Sequence, residues 1–280
     1  MRRVAYAAPT GVDREVEMGR HALVTGASSG IGEAYAERLA ADGWDLALVA
    51  RRLDRLEALA ARLASEHGIV ARPIECDLAN AAQLGALRDL VAGLELDLLV
   101  NNAALAHYRP FAELPPGQAE ELVQLNAQAP VLLAQAAVPG MVARGRGAIV
   151  NVASLLAFSG GWDAPQLPQR AVYAASKAFL VAFTRVLATE LANTGVRAQV
   201  VCPGLVRSEF HSRQGIDLSA RPRMEPGDVV RASLADLERG VVVSIPGAPE
   251  EALFDVIAGA EAGLLVATGA VELPERYGAA

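Results

Sequence analysis

Leu23-Val24-Thr25-Gly26-Ala27-Ser28-Ser29-Gly30-Ile31-Gly32-Glu33-Ala34 is the stretch on which the fold turns. Apolar residues run into three glycines, and a helical pattern starts directly after them. That is a strand, a tight turn and a helix start in close succession. Backbone N–H groups left free at a helix start, together with the helix dipole, attract phosphate. Glycine has no Cβ, so a pyrophosphate can lie against the chain there. The spacing is Gly-x3-Gly-x-Gly, which differs from the G-x-G-x-x-G of the common dinucleotide fingerprint. Glycine turns of this kind also serve packing alone, so the neighbouring segments decide between the two uses.

Moving outward from that turn, apolar runs and helical patterns alternate. Strands are predicted at His21–Thr25, Asp45–Ala50, 70–76, 97–101, 148–153, 197–202 and 241–245. Helices are predicted at 30–42, Leu53–His67, 80–92, 116–144, 172–193, 227–238 and 249–260. Gly43, Gly68 and Gly195 stand where helices stop, and Asn80 is placed to cap the third. The strands are near-continuous apolar runs, such as Leu46-Ala47-Leu48-Val49, which suits parallel strands covered on both faces. The expected architecture is α/β: a doubly wound, seven-stranded parallel sheet with helices on both faces, in a single domain spanning 21–262. Residues 1–20 stay outside the pattern and read as a flexible tail, within which Met18 stands just before the first strand. Residues 263–280 read as a second tail.

The chain has 280 residues, 52% of them hydrophobic, enough for one substantial core. Its formal net charge of −7 argues against duplex nucleic acid, whose binding rests on a basic face. No uninterrupted apolar run reaches the ~20 residues that span a bilayer, so no membrane partner is expected. Cys76 and Cys202 fall in predicted strands and read as buried, reduced thiols, which points to a cytoplasmic protein. The histidines show no metal-ligand spacing.

Polar residues fall at the carboxyl ends of successive strands, where a doubly wound sheet keeps its ligands. Tyr173 and Lys177 lie four apart in a predicted helix and so share a face. An ammonium beside a phenol favours the phenolate. Lowering a phenol from about 10 to about 7 takes roughly 4 kcal/mol of differential interaction. Strand 2 ends Val49-Ala50-Arg51-Arg52 with no acidic residue at Ala50. Arginine there suits the 2′-phosphate of NADP, where an acid would take the 2′-hydroxyl of NAD. The expected cofactor is NADP(H) in preference to NAD(H), with Arg51 on the phosphate and Arg52 and Arg55 as helpers or solvated helix charges.

Thr25-Gly26-Ala27-Ser28-Ser29-Gly30-Ile31-Gly32, Asp77-Leu78, Asn101-Asn102-Ala103, Asn126, Ser154, Tyr173-Ala174-Ala175-Ser176-Lys177 and Pro203-Gly204 together resemble the classical short-chain dehydrogenase/reductase family, in family order over about residues 21–210. The resemblance implies a Rossmann-type fold that interconverts a carbonyl and a secondary alcohol by hydride transfer. It makes Tyr173 the general acid in reduction and the base in oxidation. Ser154 then binds the substrate oxygen, Lys177 also holds the nicotinamide ribose, and Asn126 keeps a proton-relaying water. Gly26, Ser28, Ser29, Gly30, Ile31 and Gly32 would cradle the cofactor's phosphates. Asp77 and Leu78 would meet the adenine, and Asn102, Ala103 and Ala104 would pass beneath the adenosine ribose. Pro203, Gly204 and Val206 would face the nicotinamide, and Ser208 the phosphates. Ala104 replaces the family's usual glycine. A homodimer or homotetramer through the long helices is implied as well.

Between Ser154 and Tyr173 the chain is longer than is usual in the family, the excess falling in 160–168. Either Ser159 takes the serine role or the loop bulges outward; the strand ending Asn151-Val152-Ala153-Ser154 favours the bulge. Trp162 and Phe158 then wall the substrate pocket, or the insertion simply faces solvent. The segment 207–225 is polar and rich in arginine, and reads as a substrate lid or a solvated loop. The other class of function compatible with these motifs is a catalytically silent NADP(H)-binding Rossmann redox sensor.

Overall fold

The computed structural model describes residues 20–162, 167–249 and 252–267. The expected tail over 1–19, with Met18, the stretch 163–166 of the insertion, and the tail from 268 onward lie outside the described residues.

Seven strands form one sheet: β1 (His21–Thr25), β2 (Asp45–Ala50), β3 (Ala71–Glu75), β4 (Leu98–Asn101), β5 (Gly147–Val152), β6 (Val196–Val201) and β7 (Val243–Ser244). Their order is β3-β2-β1-β4-β5-β6-β7, and every pair is parallel. The order reverses between β1 and β4, which opens the crevice characteristic of a Rossmann-type doubly wound sheet. The helices are α1 (Gly30–Ala41), α2 (Leu53–His67), α3 (Ala81–Ala92), α4 (Pro116–Val123), α5 (Ala129–Arg144), α6 (Ala171–Glu190), α7 (Glu209–Ser212), α8 (Pro226–Glu238) and α9 (Ala252–Ala267). On one face α1, α2 and α8 bury Tyr35, Leu39, Leu56, Leu63 and Val230 against the strands. On the other, α3 and α5 bury Leu84, Leu87, Leu133 and Met141. Both faces are covered, which is why the strands could be apolar throughout.

The helix expected over 116–144 is not continuous. A wide π turn at Gln124–Gln128 separates α4 from α5. Pro130 has no N–H to offer the carbonyl four residues back, that of Asn126, which removes a regular helical bond at this point. The Asn126 side chain turns inward instead, donating to Leu105 O at 2.9 Å and accepting from Leu105 N at 3.1 Å. Asn80 does cap α3, its Oδ1 accepting from Ala82 N and Gln83 N. β7 is shorter than expected, and α9 runs through Gly263 to Ala267 rather than stopping near 260. By length and composition alone α6 meets the criterion for a membrane-spanning helix, although Lys177 and Arg185 interrupt its apolar run. Packing accounts for part of that apolarity: Leu180 and Val181 are buried with Val200 of β6, while Phe179 and Val186 are exposed.

Candidate active site

The glycine turn is fixed by steric need. Gly26 has φ +66°, and a Cβ there would lie 2.7 Å from Asn102 Nδ2. A Cβ on Gly32 would lie 2.3 Å from the carbonyl oxygen of Gly26, well inside contact distance. Thr25 and Asn102 tie the turn to the end of β4. The Thr25 hydroxyl accepts from Asn102 N at 2.9 Å and Ala103 N at 3.0 Å. Asn102 Nδ2 donates to Thr25 O at 2.9 Å. Asn102 thus braces the turn with its side chain, a use the sequence did not reveal. Ser29, at the N-cap of α1, makes no side-chain capping bond.

The two arginines after β2 part company. Arg51 is exposed at the rim. Arg52 reaches back to the glycine turn, where its Nη2 donates to Ser28 Oγ at 2.9 Å, to Ser28 O at 3.1 Å and to Ser29 Oγ at 3.0 Å. The sequence favoured Arg51, because it follows the strand directly. The side chain fixed beside the glycine turn is Arg52, the N-cap residue of α2. Nor is the 207–225 segment a plain solvated loop. Its ends are clasped by Arg207 N to Met224 O (2.9 Å) and Met224 N to Leu205 O (2.9 Å). Within it, Ser208 packs on Gly30 and caps α7 through Phe210 N at 3.3 Å.

A cleft of about 1050 Å³ runs from the glycine turn, past Asp77 and Leu78, to Tyr173. Of the residues singled out from the sequence, Ser28, Ser29, Gly30, Ile31, Ala103, Ala104, Pro203, Gly204, Val206 and Ser208 also line it. Gly32 and Asn126 do not: Gly32 is packed beneath the turn, and Asn126 is fully buried. Asn126 reaches α6 by donating to Ser176 Oγ at 3.2 Å, and Ser176 Oγ donates to Tyr173 O at 2.8 Å. The Asp77 carboxylate accepts from Ala79 N at 3.1 Å and so shapes its own turn at the cleft wall.

At the far end, α6 presents Tyr173 and Lys177 on one buried face. Lys177 is 2% exposed, and its ammonium donates to Val152 O at 2.8 Å, with Nζ 5.9 Å from the Tyr173 ring centroid. Burial pulls this ammonium down to about 8, against a raising influence from the neighbouring Cys202. Burial also pushes the Tyr173 phenol up to about 12, with hydrogen bonds to Ser154 and Tyr108 pulling the other way. The downward shift expected from Lys177 is therefore not what the protein alone produces. Desolvation outweighs an ammonium that is itself desolvated and engaged elsewhere. Ser154 is the serine hydrogen-bonded to that phenol, while its Oγ also accepts from Leu156 N at 3.1 Å.

Ser159 is committed to structure. It accepts from Arg170 Nε at 2.8 Å and donates to Leu156 O at 2.7 Å. Arg170 also donates to the carbonyls of Ser159, Trp162 and Pro168, on either side of 163–166. Phe158 and Trp162 line the cleft, and Trp162 remains 61% exposed. Arg170→Ala removes all four bonds and is expected to make the insertion markedly more sensitive to limited proteolysis, while the melting temperature of the domain shifts by no more than a few degrees.

Three features escaped the sequence. Tyr108 stands edge-on to Tyr173, ring centroids 5.5 Å apart. Phe210 and His211 of α7 close over the same pair, His211 stacking on Tyr108 at 6.3 Å. Glu209 meets Arg52, Arg55 and Arg213 beside the glycine turn. Polar residues after strand 4 and in the arginine-rich segment were visible, but nothing in their spacing reported these meetings. His107, beside Tyr108, pairs with Glu121 at 3.0 Å.

The model of the short chain dehydrogenase family matches residues 20–218. A very-long-chain 3-oxoacyl-CoA reductase of Phaeosphaeria nodorum is 36% identical over 228 residues, which cover 79% of this chain and 64% of that protein. The chain thus spans just under two thirds of this curated relative. A short-chain dehydrogenase from Sphingobium yanoikuyae, solved in complex with NADPH, is 37% identical with a TM-score of 0.87, covering 92% of this chain and all of that one. The bulky-bulky ketone specific alcohol dehydrogenase of Comamonas testosteroni is 31% identical with a TM-score of 0.83, over 93% and 99% of the two chains. By sequence, by sheet order and by the cleft at the reversal of that order, this chain belongs to the short chain dehydrogenase family.

Proposed function

We propose that the protein is an NADP(H)-dependent oxidoreductase interconverting a ketone and a secondary alcohol, both flanked by bulky groups. The observation that carries this is one continuous cleft, with the glycine turn and Arg52 at one end and the Ser154–Tyr173–Lys177 group at the other. The residues present fit a dinucleotide. Gly26 and Gly32 hold the backbone where a Cβ could not stand, α1 aims its N-terminus into the cleft, and Arg52 supplies a forked cation for an additional phosphate. NADP(H), when bound, supplies or accepts the hydride.

The chain's own residues do the rest. Ser154 Oγ holds the substrate oxygen and stabilises the charge that develops there. The Tyr173 hydroxyl, held protonated at neutral pH by burial, donates its proton to that oxygen in reduction and recovers it in oxidation. Lys177 anchors to Val152 O and presents a cation below the phenol. Asn126 keeps α6 in place through Ser176. Tyr108, Phe158, Trp162 and Phe210 offer an aromatic wall wide enough for substituents on both sides of a carbonyl. Exposed Phe179 and Val186 on α6 and Val142 on α5 support a homo-oligomer, and the buried free thiols Cys76 and Cys202 support a cytoplasmic location.

Mixing the protein with NADPH and a panel of diaryl and aryl-alkyl ketones tests the reading by loss of reduced-nicotinamide absorbance. Turnover supports an enzyme; tight NADPH binding without turnover on any member supports the silent sensor instead. Arg52→Gln is expected to cost about 1.5–3 kcal/mol of NADPH affinity, the range of a hydrogen bond to a charged group, with NADH affinity little changed. Titrations with the two reduced cofactors measure it, and an equal loss for both would remove Arg52 from the phosphate.

A further inference from the structure

The arginines beside the glycine turn already hold an anion belonging to the chain. Glu209, the first residue of α7, accepts from Arg52 Nη1 at 3.0 Å through Oε2 and from Arg55 Nη1 at 2.8 Å through Oε1. Arg213, one helical turn on, bonds the same Oε2. Both carboxylate oxygens are therefore spent on guanidinium groups, one of which also grips Ser28 and Ser29. Hydrogen bonds from Arg55, Arg213 and Arg52 hold this carboxyl down at about 2, so it is charged at every working pH. Protonation cannot release it; a stronger anion can. A phosphate monoester brings up to two charges and three acceptor oxygens against one charge and two oxygens, and guanidinium forks bind it well.

We infer that Glu209 is a specificity-determining residue for the cofactor: its carboxylate occupies the arginines that the 2′-phosphate of NADP(H) uses, so NADP(H) has to displace it and NAD(H) does not. This rests on the NADP(H) reading above. Glu209 thereby moderates the affinity for NADP(H) without touching that for NAD(H). It also links the phosphate to the lid, because Ser208 and Phe210 flank Glu209, the first on Gly30 and the second beside Tyr173. Displacing the carboxylate frees α7 from Arg52 and Arg55, while a phosphate keeps those arginines gathered.

The test is a set of equilibrium titrations of wild type and Glu209→Gln with NADPH, NADH, adenosine 2′,5′-bisphosphate and 5′-AMP. The glutamine keeps the shape and removes the charge. NADPH and the bisphosphate are expected to bind about tenfold more tightly to the variant, with NADH and 5′-AMP changed by less than about twofold. Unchanged or weaker NADPH binding in the variant, with wild type still preferring NADPH, would overturn the role of Glu209 alone. Wild type binding NADH as tightly as NADPH would overturn the cofactor reading and this inference with it. Glu209→Ala, titrated in the same way, gives the same readout if the glutamine variant folds poorly, and both folds are checked by thermal melting.

Discussion

Tyr173→Phe is expected to lower kcat for ketone reduction by about 10³-fold, within the usual 10²–10⁴ range of a general acid, while NADPH binding changes by less than about twofold. The substitution removes one oxygen from a side chain that is 6% exposed and packed against Tyr108 and Phe210. The ring stays, so the cleft wall stays. What is lost is the proton donor at the end of the Ser154 contact. A rate loss of that size corresponds to about 4 kcal/mol of transition-state stabilisation. Stopped-flow consumption of NADPH and a separate binding titration distinguish the two parameters. A fall in affinity with an unchanged rate constant would assign the phenol to binding and remove it from proton transfer.

Lys177→Met is expected to abolish most activity and yet stabilise the fold. Lys177 is an ammonium in a site 2% exposed, with Val152 O as its hydrogen-bond acceptor. Its folded pKa of about 8 lies below the value of an unfolded lysine, near 10.4. Between those values the unfolded chain binds more protons, so stability rises as pH climbs from about 8 towards about 10.4. Below pH 8 the whole penalty is present, on the order of 3 kcal/mol. Methionine fills similar space without a charge to desolvate, though it leaves Val152 O unpaired at a cost of about 1 kcal/mol. The net expectation is a melting temperature about 2–6 °C above wild type at pH 7, the gain shrinking at pH 10. Activity is expected to fall about 10²-fold, because the cation under the phenol is gone. A melting temperature below wild type at pH 7 would mean that the buried ammonium earns its place structurally.

The frame of the molecule could be read from the chain because its strands are buried on both faces. Leu46-Ala47-Leu48-Val49 and Ile149-Val150 announce themselves by unbroken apolarity, and Gly26, Gly43 and Gly68 punctuate them at positive φ. The edge strand β7 was less legible: only Val243 and Ser244 pair with β6, and Pro246-Gly247 follow close behind. The break between α4 and α5 rests on Pro130, which the sequence shows, and on Asn126 finding Leu105, a tertiary meeting that no helical period encodes. The same is true of the site. Tyr173, Lys177 and Ser154 could be picked out by the family resemblance their combination carries, and they do come together. Which arginine turns to the glycine loop is decided by Ser28 and Ser29 accepting from Arg52, a tertiary contact, and the pairing of Glu209 with Arg52 joins residues 157 apart. The upward push that burial gives Tyr173 in the protein alone was not legible, because charge proximity is visible in a helix pattern whereas burial is a property of the whole fold.

The most direct measurement follows the hydrogen itself. The protein is incubated with a diaryl or aryl-alkyl ketone and NADPH bearing deuterium at the transferable C4 position, and the product is weighed by mass spectrometry. The expected result is the secondary alcohol with one deuterium on the carbinol carbon, formed by wild type and nearly absent with Tyr173→Phe. Recovery of unchanged ketone beside tightly bound NADPH, or of alcohol carrying no deuterium, would contradict hydride transfer in this cleft.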